Sequence, residues 1–243
     1  MISNEKSSYS KWSINLSELD AEKSKDEAAN VPMETDASKI EYKFREIVLA
    51  SNVIADAYAC GYAKLGKTEV IAYMDEPTFM DDSQTSEQKI VKFKIDAEYR
   101  SELNDIPRIF AAIVREQNRT IRYRCNIIVK VNDGGLMTAA VMAINIAFME
   151  AGIQLSDTLI AATIGICGEN EQVVIDPDME TLKKCELTLS YAICPQLNLV
   201  VLCDQVGCSK KFSNNKIRDF AHYACVTLKD SLLVQFYNLF HGE

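Results

Sequence analysis

Three segments of the sequence combine residue types that could handle phosphate or nucleotides. Asp133-Gly134-Gly135 directly precedes the apolar run 136–151, where the start of a helix could present backbone N–H groups to an anion. Asp176 and Asp178 flank a proline, and a carboxyl group in such a loop could serve as a general acid. Residues 61–68 match the Walker A pattern of phosphate-binding loops. Each segment has a structural interpretation as well as a chemical one.

The Walker-like segment, Gly61 to Thr68, predicts a hairpin rather than a nucleotide site. A phosphate-binding loop needs a helix directly after its Lys-Thr pair, so that the helix N-terminus faces the phosphates. Residues 69–77 instead alternate, are rich in β-branched side chains and end in a proline, which is typical of a strand. A P-loop nucleotide hydrolase, with Asp204 as its magnesium ligand, is kept as the second alternative function.

The two aspartates around Pro177 also fit a structural role. An aspartate that opens a turn commonly accepts hydrogen bonds from nearby backbone N–H groups, as a cap or in an Asx-turn. We favour this interpretation of Asp176 and Asp178 over catalysis.

The elements that must position these segments are runs of strands separated by single helices. Short β-branched runs predict strands at 47–55, 58–65, 70–74, 90–95, 125–131, 158–167, 172–175, 186–194 and 197–203. Apolar periodicity predicts helices through Ile109 and Val114, over 136–151 with Gly152 as its end, briefly after Pro177, and from Ser213 towards the C-terminus. This order predicts an α+β fold.

Composition sets limits on the function. Residues 1–40 are acidic and polar, which predicts a flexible tail before a single domain at 41–243. The formal net charge of -9 gives no global attraction to nucleic acid, so any RNA contact must be local. The eight cysteines contain no Cys-x-x-Cys pair, and we expect reduced, buried thiols. We expect no cofactor and no metal site. We also expect no membrane contact, because no apolar run reaches the ~20 residues of a bilayer span.

Three blocks, in order along the chain, resemble the ribonuclease PH family. Residues 133–152, followed by Ser156-Asp157, resemble its strand-turn-helix signature; 55–77 resemble its first hairpin; and 174–177 with Glu180 resemble its Asp-Pro loop. The similarity covers about residues 44 to 240. It implies an α+β, ribonuclease PH-like fold of two βαβα-type halves, like domain 2 of ribosomal protein S5. Within the family, residues 194–199 most resemble one ring subunit of the eukaryotic RNA exosome.

The resemblance implies a lost activity. Catalytic relatives carry a Thr-Arg step after the glycine pair, which holds the attacking phosphate, and an acidic residue beyond the Asp-Pro loop. The corresponding residues here are Leu136, Met137 and Leu182, none of which offers a donor or an ionisable group. The helix dipole alone contributes only ~0.3 to 1 kcal/mol to anion binding. We therefore expect a non-catalytic subunit with no catalytic residues; an active phosphorolytic 3'-to-5' exoribonuclease is the first alternative.

The resemblance also implies partners and a location. We expect other ribonuclease PH-like exosome subunits in a hetero-hexameric ring, an S1/KH-type cap protein and RNA, in the nucleus, including the nucleolus, and in the cytoplasm. The apolar run 234–240 could contact such a neighbour or could fold onto the chain's own core.

The densest basic stretch supplies the candidate RNA-binding residues: Arg108, Arg115, Arg119, Arg122 and Arg124. The first four lie near helical spacing and could form a stripe that follows phosphates without reading sequence. An ordinary solvated helix face with ion pairs fits the same pattern, and the sequence does not decide between the two.

Overall fold

Two β-sheets enclose a buried helix in the computed structural model, which describes Ile14–Asn15 and residues 43–79, 90–115, 121–168 and 171–241. The strands are β1 (Ile14–Asn15), β2 (Ile47–Ser51), β3 (Ala59–Leu65), β4 (Thr68–Met74), β5 (Thr78–Phe79), β6 (Val91–Ile95), β7 (Ile121–Val131), β8 (Ile160–Cys167), β9 (Gln172–Ile175), β10 (Cys185–Cys194) and β11 (Leu199–Gly207). The helices are α1 (Ile106–Ala111), α2 (Leu136–Glu150), α3 (Met179–Leu182) and α4 (Asn214–His241).

The first sheet has the order β2-β3-β4-β7-β5, and β6 pairs with β7 in the parallel direction. Its first three strands form an antiparallel meander, which contains the hairpin predicted at Gly61 to Thr68. The second sheet has the order β1-β11-β10-β8-β9 and is antiparallel throughout. The predicted α+β class is confirmed. Apart from Ile14–Asn15, the predicted tail at 1–40 lies outside the described residues.

Helix α2 lies between the two sheets, which explains why it is apolar on almost every side. Gly61 of β3 allows the close approach, because a Cβ atom there would lie 2.0 Å from the carbonyl oxygen of Ala143. The helix ends where predicted, with Gly152 in the left-handed region at φ +67°. Among the described residues, no helix is long and apolar enough to cross a bilayer.

Helix α4 covers the second sheet on its other side, and the apolar run 234–240 divides between core and surface. Phe236 is buried at 4% exposure, whereas Val234 and Tyr237 are more than 60% exposed. The helix begins as predicted, since the hydroxyl of Ser213 accepts a hydrogen bond from the backbone N–H of Lys216. Folding onto the chain's own core is therefore confirmed for Phe236, whereas contact with a neighbour stays a prediction for the exposed residues.

The predicted helix around the basic stretch is shorter than expected. Helix α1 ends at Ala111, and Ile113 is buried in the turn that follows. Arg122 and Arg124 lie on β7 instead of on a helix. The predicted helical stripe is therefore wrong. Arg108 lies on α1 and Arg122 on β7, so helical spacing does not place their side chains on one face.

The expectation of reduced, buried cysteines fails at four positions. Cys167 and Cys185 are directly opposite each other on β8 and β10 and are joined in a disulfide. Cys203 and Cys208 are exposed. The expectation failed because sequence spacing does not reveal which strands become neighbours, nor their register. The remaining thiols are buried as expected: Cys60, Cys125, Cys194 and Cys225.

Candidate functional site

The turn Asp133-Gly134-Gly135 joins β7 to the start of α2 and is fastened to the first hairpin by Thr68. The buried Thr68 hydroxyl donates to the carbonyl of Gly134 at 2.6 Å and accepts from the backbone N–H of Asp133 at 2.9 Å. Gly134 and Gly135 both have positive φ values, +85° and +66°. A Cβ atom at Gly134 would lie 2.4 Å from the carbonyl oxygen of Pro177. The turn therefore needs glycine for its conformation and for its contact with the Asp-Pro loop.

Arg45, just before β2, links this turn to Asp176. Its Nε and Nη2 atoms donate to the two carboxylate oxygens of Asp176, each at 2.8 Å. Its backbone N–H donates to the same carboxylate at 3.1 Å. The remaining donors reach the turn, with Nη1 bonded to the carbonyl of Asp133 at 2.8 Å and Nη2 to that of Gly134 at 3.0 Å. Three distant segments thus meet at one guanidinium group.

Nearly all the hydrogen-bonding capacity of Arg45 is used within the protein. A guanidinium group has five N–H donors, and the bonds from Nε, Nη1 and Nη2 occupy all but one of them. The remaining Nη1 donor is near a carboxylate too, since Asp133 Oδ2 lies 3.8 Å from Nη1. Arg45 is therefore committed to the fold and not presented to an anion in solution.

Burial and pairing act in opposite directions on the ionisation of this pair. Burial raises the pKa of Asp176 above its usual value, and the bonds from Arg45 counteract part of this shift. Burial lowers the pKa of Arg45. The hydrogen bonds that Arg45 donates to Asp176, together with the negative charges of Asp176, Asp133 and Asp178, outweigh this effect and leave the pKa of Arg45 raised. Asp176 also adopts a left-handed backbone conformation at φ +50°, which is uncommon for a residue with a side chain. The three hydrogen bonds from Arg45 hold the carboxylate of Asp176 in place.

The first two residues of α2 are apolar and shielded from solvent. Leu136 is 5% exposed and Met137 is 7% exposed. Leu182 of α3 closes the other side of the turn, because its Cδ1 atom would lie 3.0 Å from a Cβ atom at Gly134. Neither a donor side chain nor an acidic side chain occupies the three positions where the family resemblance expects them.

The two aspartates of the Asp-Pro loop have different roles. Asp178 is the N-cap of α3, and its carboxylate accepts from the backbone N–H of Thr181 at 2.8 Å. Hydrogen bonding by the Thr181 side chain, and then by its backbone N–H, lowers the pKa of Asp178. Asp176 forms the ion pair with Arg45. The predicted capping role is therefore confirmed for Asp178 and is wrong for Asp176, whose partner comes from the opposite end of the domain.

The Walker-like segment is a hairpin, as the alternation predicts. Gly61 lies within β3, Gly66 is in the turn, and β4 rather than a helix starts at Thr68. Asp204 is exposed on β11 and is not next to this turn in the sheet. The chain continues from the Lys-Thr pair as strand β4, so no helix starts directly after it, and this segment lacks the geometry of a P-loop.

Solved structures share this architecture at low sequence identity. Rice (Oryza sativa) Rrp46 is 16% identical with a TM-score of 0.69, covering 82% of this chain and 99% of that chain. An archaeal exosome core is 18% identical with a TM-score of 0.60, covering 79% and 87% respectively. The Archaeoglobus fulgidus exosome with RNA bound to the active site is 17% identical with a TM-score of 0.62, covering 88% and 96%. The fold is ribonuclease PH-like. No protein-family model and no curated protein matches the sequence.

Within this ribonuclease PH-like fold, the four candidate RNA-binding arginines that the structure describes are spread over helix α1, the loop after it and strand β7. Arg108 is bound to Asp105 through two hydrogen bonds, at 3.0 and 2.7 Å. Arg115 donates to the hydroxyl of Ser156 at 3.3 Å. Arg119 lies outside the described residues. The remaining two are on β7, with Arg122 7% exposed and Arg124 largely exposed.

Sequence reasoning missed two residues that organise the site. Thr68 was noted only as part of the Walker-like pattern, and Arg45 was not singled out at all. A signal for Arg45 was present, because it is the first arginine of the chain in a region where the other cations are lysines. Arginine is preferred over lysine where a carboxylate is bound in a fork.

Proposed function

We propose that this chain is a non-catalytic structural subunit of an RNA exosome ring. It supports 3'-to-5' RNA processing and degradation by holding neighbouring subunits and guiding RNA. The proposal rests on the ribonuclease PH-like fold together with one observation at the start of α2. There, the buried Leu136 and Met137 occupy the positions at which the resemblance expects phosphate ligands.

The electrostatics of the site support a structural role. An anion in this turn would need a cation that is not already paired, and Arg45 is held by Asp176. Releasing Arg45 would leave the carboxylate of Asp176 buried without its partner, which is costly. Keeping Arg45 bound to Asp176 is therefore the favourable state, and it links the segment before β2, the turn before α2 and the Asp-Pro loop.

We propose as partners other ribonuclease PH-like subunits in a hetero-hexameric ring, an S1/KH-type cap protein and RNA. Among the eukaryotic ring subunits, the mRNA-transport-regulator subunit, exosome component six, is the one that residues 194–199 resemble most. These residues form the hairpin turn between β10 and β11, and Asp157 holds the turn by accepting from the backbone N–H groups of Gln196 and Leu197 at 2.6 and 3.0 Å. The proposed location is the nucleus, including the nucleolus, and the cytoplasm.

A phosphorolysis assay tests the absence of catalysis. The purified full-length chain is incubated with single-stranded RNA, with and without inorganic phosphate, and the release of nucleoside diphosphates is measured beside an active archaeal exosome core. We expect no phosphate-dependent release from this chain. Release that depends on phosphate and is lost in Asp178→Asn would instead support the first alternative, an active phosphorolytic exoribonuclease, and would overturn the proposal.

A further inference from the structure

The outer surface of the first sheet carries cations that the candidate arginines only partly include. On β6 and β7, successive side chains alternate between the core and this surface. Val91, Phe93 and Cys125 face the core side, since they are buried or packed against buried residues. Lys92, Lys94 and Arg124 therefore point outward, and all three are exposed. We call these three residues the basic strand face.

The register places like charges directly beside one another on this face. Lys92 is the partner of Arg124 across the parallel β6–β7 pair, and Lys94 is the partner of Asn126. Like charges directly opposite each other destabilise a sheet. The carboxylate of Asp75 lies 3.6 Å from Arg124 and also accepts a hydrogen bond from Asn126. Asp75 offsets part of the charge of Arg124, and the exposed cations of this face are complementary in charge to a polyanion that lies along the strands.

Tyrosine side chains continue the same surface next to the cations. Tyr73 of β4 is the cross-strand partner of Asn126, so a single strand separates it from Lys94. Tyr62 is further along the sheet, opposite Ile71 of β4. Both tyrosines are half-buried, so part of each side chain remains accessible. Aromatic side chains beside a row of cations match the two chemistries of a single-stranded nucleic acid, bases that stack and phosphates that carry charge.

We propose that the basic strand face, with Tyr73, binds single-stranded RNA without reading its sequence. Charge complementarity and stacking support a single-stranded nucleic acid, and the choice of RNA rests on the proposed function. The surface is local, which reconciles RNA binding with a chain whose formal net charge is -9. It replaces the helical arginine stripe with strand residues, of which only Arg124 belongs to the earlier candidates.

The test measures binding of the purified full-length chain to a fluorescein-labelled oligouridylate by anisotropy at several salt concentrations. The variant K92Q/K94Q/R124Q removes the basic strand face. The matched control K183Q/K184Q/K210Q removes the same charge from exposed lysines elsewhere. We expect at least a tenfold loss of affinity in the first variant and little change in the second beyond the effect of net charge. Because each phosphate contact contributes ~0.7 to the salt slope of single-stranded binding, the slope should fall by about 2.

A second variant separates stacking from charge. Tyr73→Leu should weaken binding several-fold and leave the salt slope unchanged, because it removes no cation. Equal affinities of K92Q/K94Q/R124Q and its control, or no measurable binding by the unaltered chain, would overturn the inference.

Assembly is measured in parallel by co-purification with ring subunits. If K92Q/K94Q/R124Q binds RNA normally but no longer assembles, the face is a protein interface and the inference is wrong. If the unaltered chain binds RNA through this face but never assembles, the inference stands and the proposed ring function fails.

Discussion

Arg45 and Asp176 form a two-pronged ion pair across 131 residues of sequence, with both N···O distances at 2.8 Å. The pair lies where the turn before α2, the start of β2 and the Asp-Pro loop meet. Asp176 is only 3% exposed, so the carboxylate depends on Arg45 for its compensation. This relationship connects the two halves of the fold at the position that the family resemblance associates with phosphate.

Replacing Arg45 should destabilise the whole domain. Arg45→Met keeps much of the side-chain volume but leaves Asp176 buried without a partner, and we expect a loss of about 3 kcal/mol in the free energy of unfolding. Urea unfolding measures it. Lys64→Met breaks the exposed ion pair to Glu69 and is the control, with little effect expected. Equal effects of the two substitutions would show that the Arg45 pair is no more than a surface contact.

Gly61 should be required for packing rather than for nucleotide binding. In Gly61→Ala the new methyl group would meet the backbone of α2, and we expect destabilisation of about 3 kcal/mol. Gly168→Ala is the comparison, because it also alters a glycine but has open space around it and only backbone strain to bear, about 1 kcal/mol. Thermal unfolding distinguishes them. An unaffected Gly61→Ala protein would contradict the close approach of β3 and α2.

The local elements were largely predictable from sequence, and the long-range contacts were not. Alternation and β-branched runs located most strands, and Gly152 and Ser213 marked helix ends, because these signals depend on neighbouring residues. Arg45 and Asp176 are 131 residues apart and are brought together by the tertiary fold, which no local pattern encodes. The Cys167–Cys185 disulfide has the same origin, since it depends on the register of β8 and β10.

The stability of the loop before α4 should depend on pH through Glu171. Hydrogen bonds from the Ser209 hydroxyl and from the backbone N–H groups of Lys210 and Lys211 lower the pKa of Glu171 below its usual 4.5. Its contribution is therefore fully present above that value and is lost as the pH falls through the lowered pKa, because the unfolded state binds more protons.

Glu171→Gln should reduce this dependence. Between about pH 6 and about pH 3, the unaltered protein should lose more unfolding free energy than the variant, and the two should converge in acid. Denaturant unfolding at a series of pH values measures this, with exposed Glu186→Gln as the control that keeps the original dependence. Parallel curves for Glu171→Gln and the unaltered protein would exclude the hydrogen-bonded carboxylate as the cause.

Phe236 and Tyr237, which are adjacent near the end of α4, should contribute very differently to stability. Phe236→Ala should cost about 3 kcal/mol because Phe236 is buried. Tyr237→Ala should change stability by less than about 0.5 kcal/mol because Tyr237 is 64% exposed and stacks on His241 near the helix end. Chemical denaturation of both variants measures the difference. A larger cost at Tyr237 than at Phe236 would mean that the helix is rotated from its described orientation.

We propose that this chain works as one subunit of a hetero-oligomeric ring, and native mass spectrometry of intact complexes can detect such an assembly. The tagged full-length chain is purified from its own cells under mild conditions, and the masses of intact complexes and of their released subunits are recorded. We expect a complex that contains this chain together with different ribonuclease PH-like subunits and a cap protein. Recovery of the chain only as a monomer, or only with copies of itself, would contradict it.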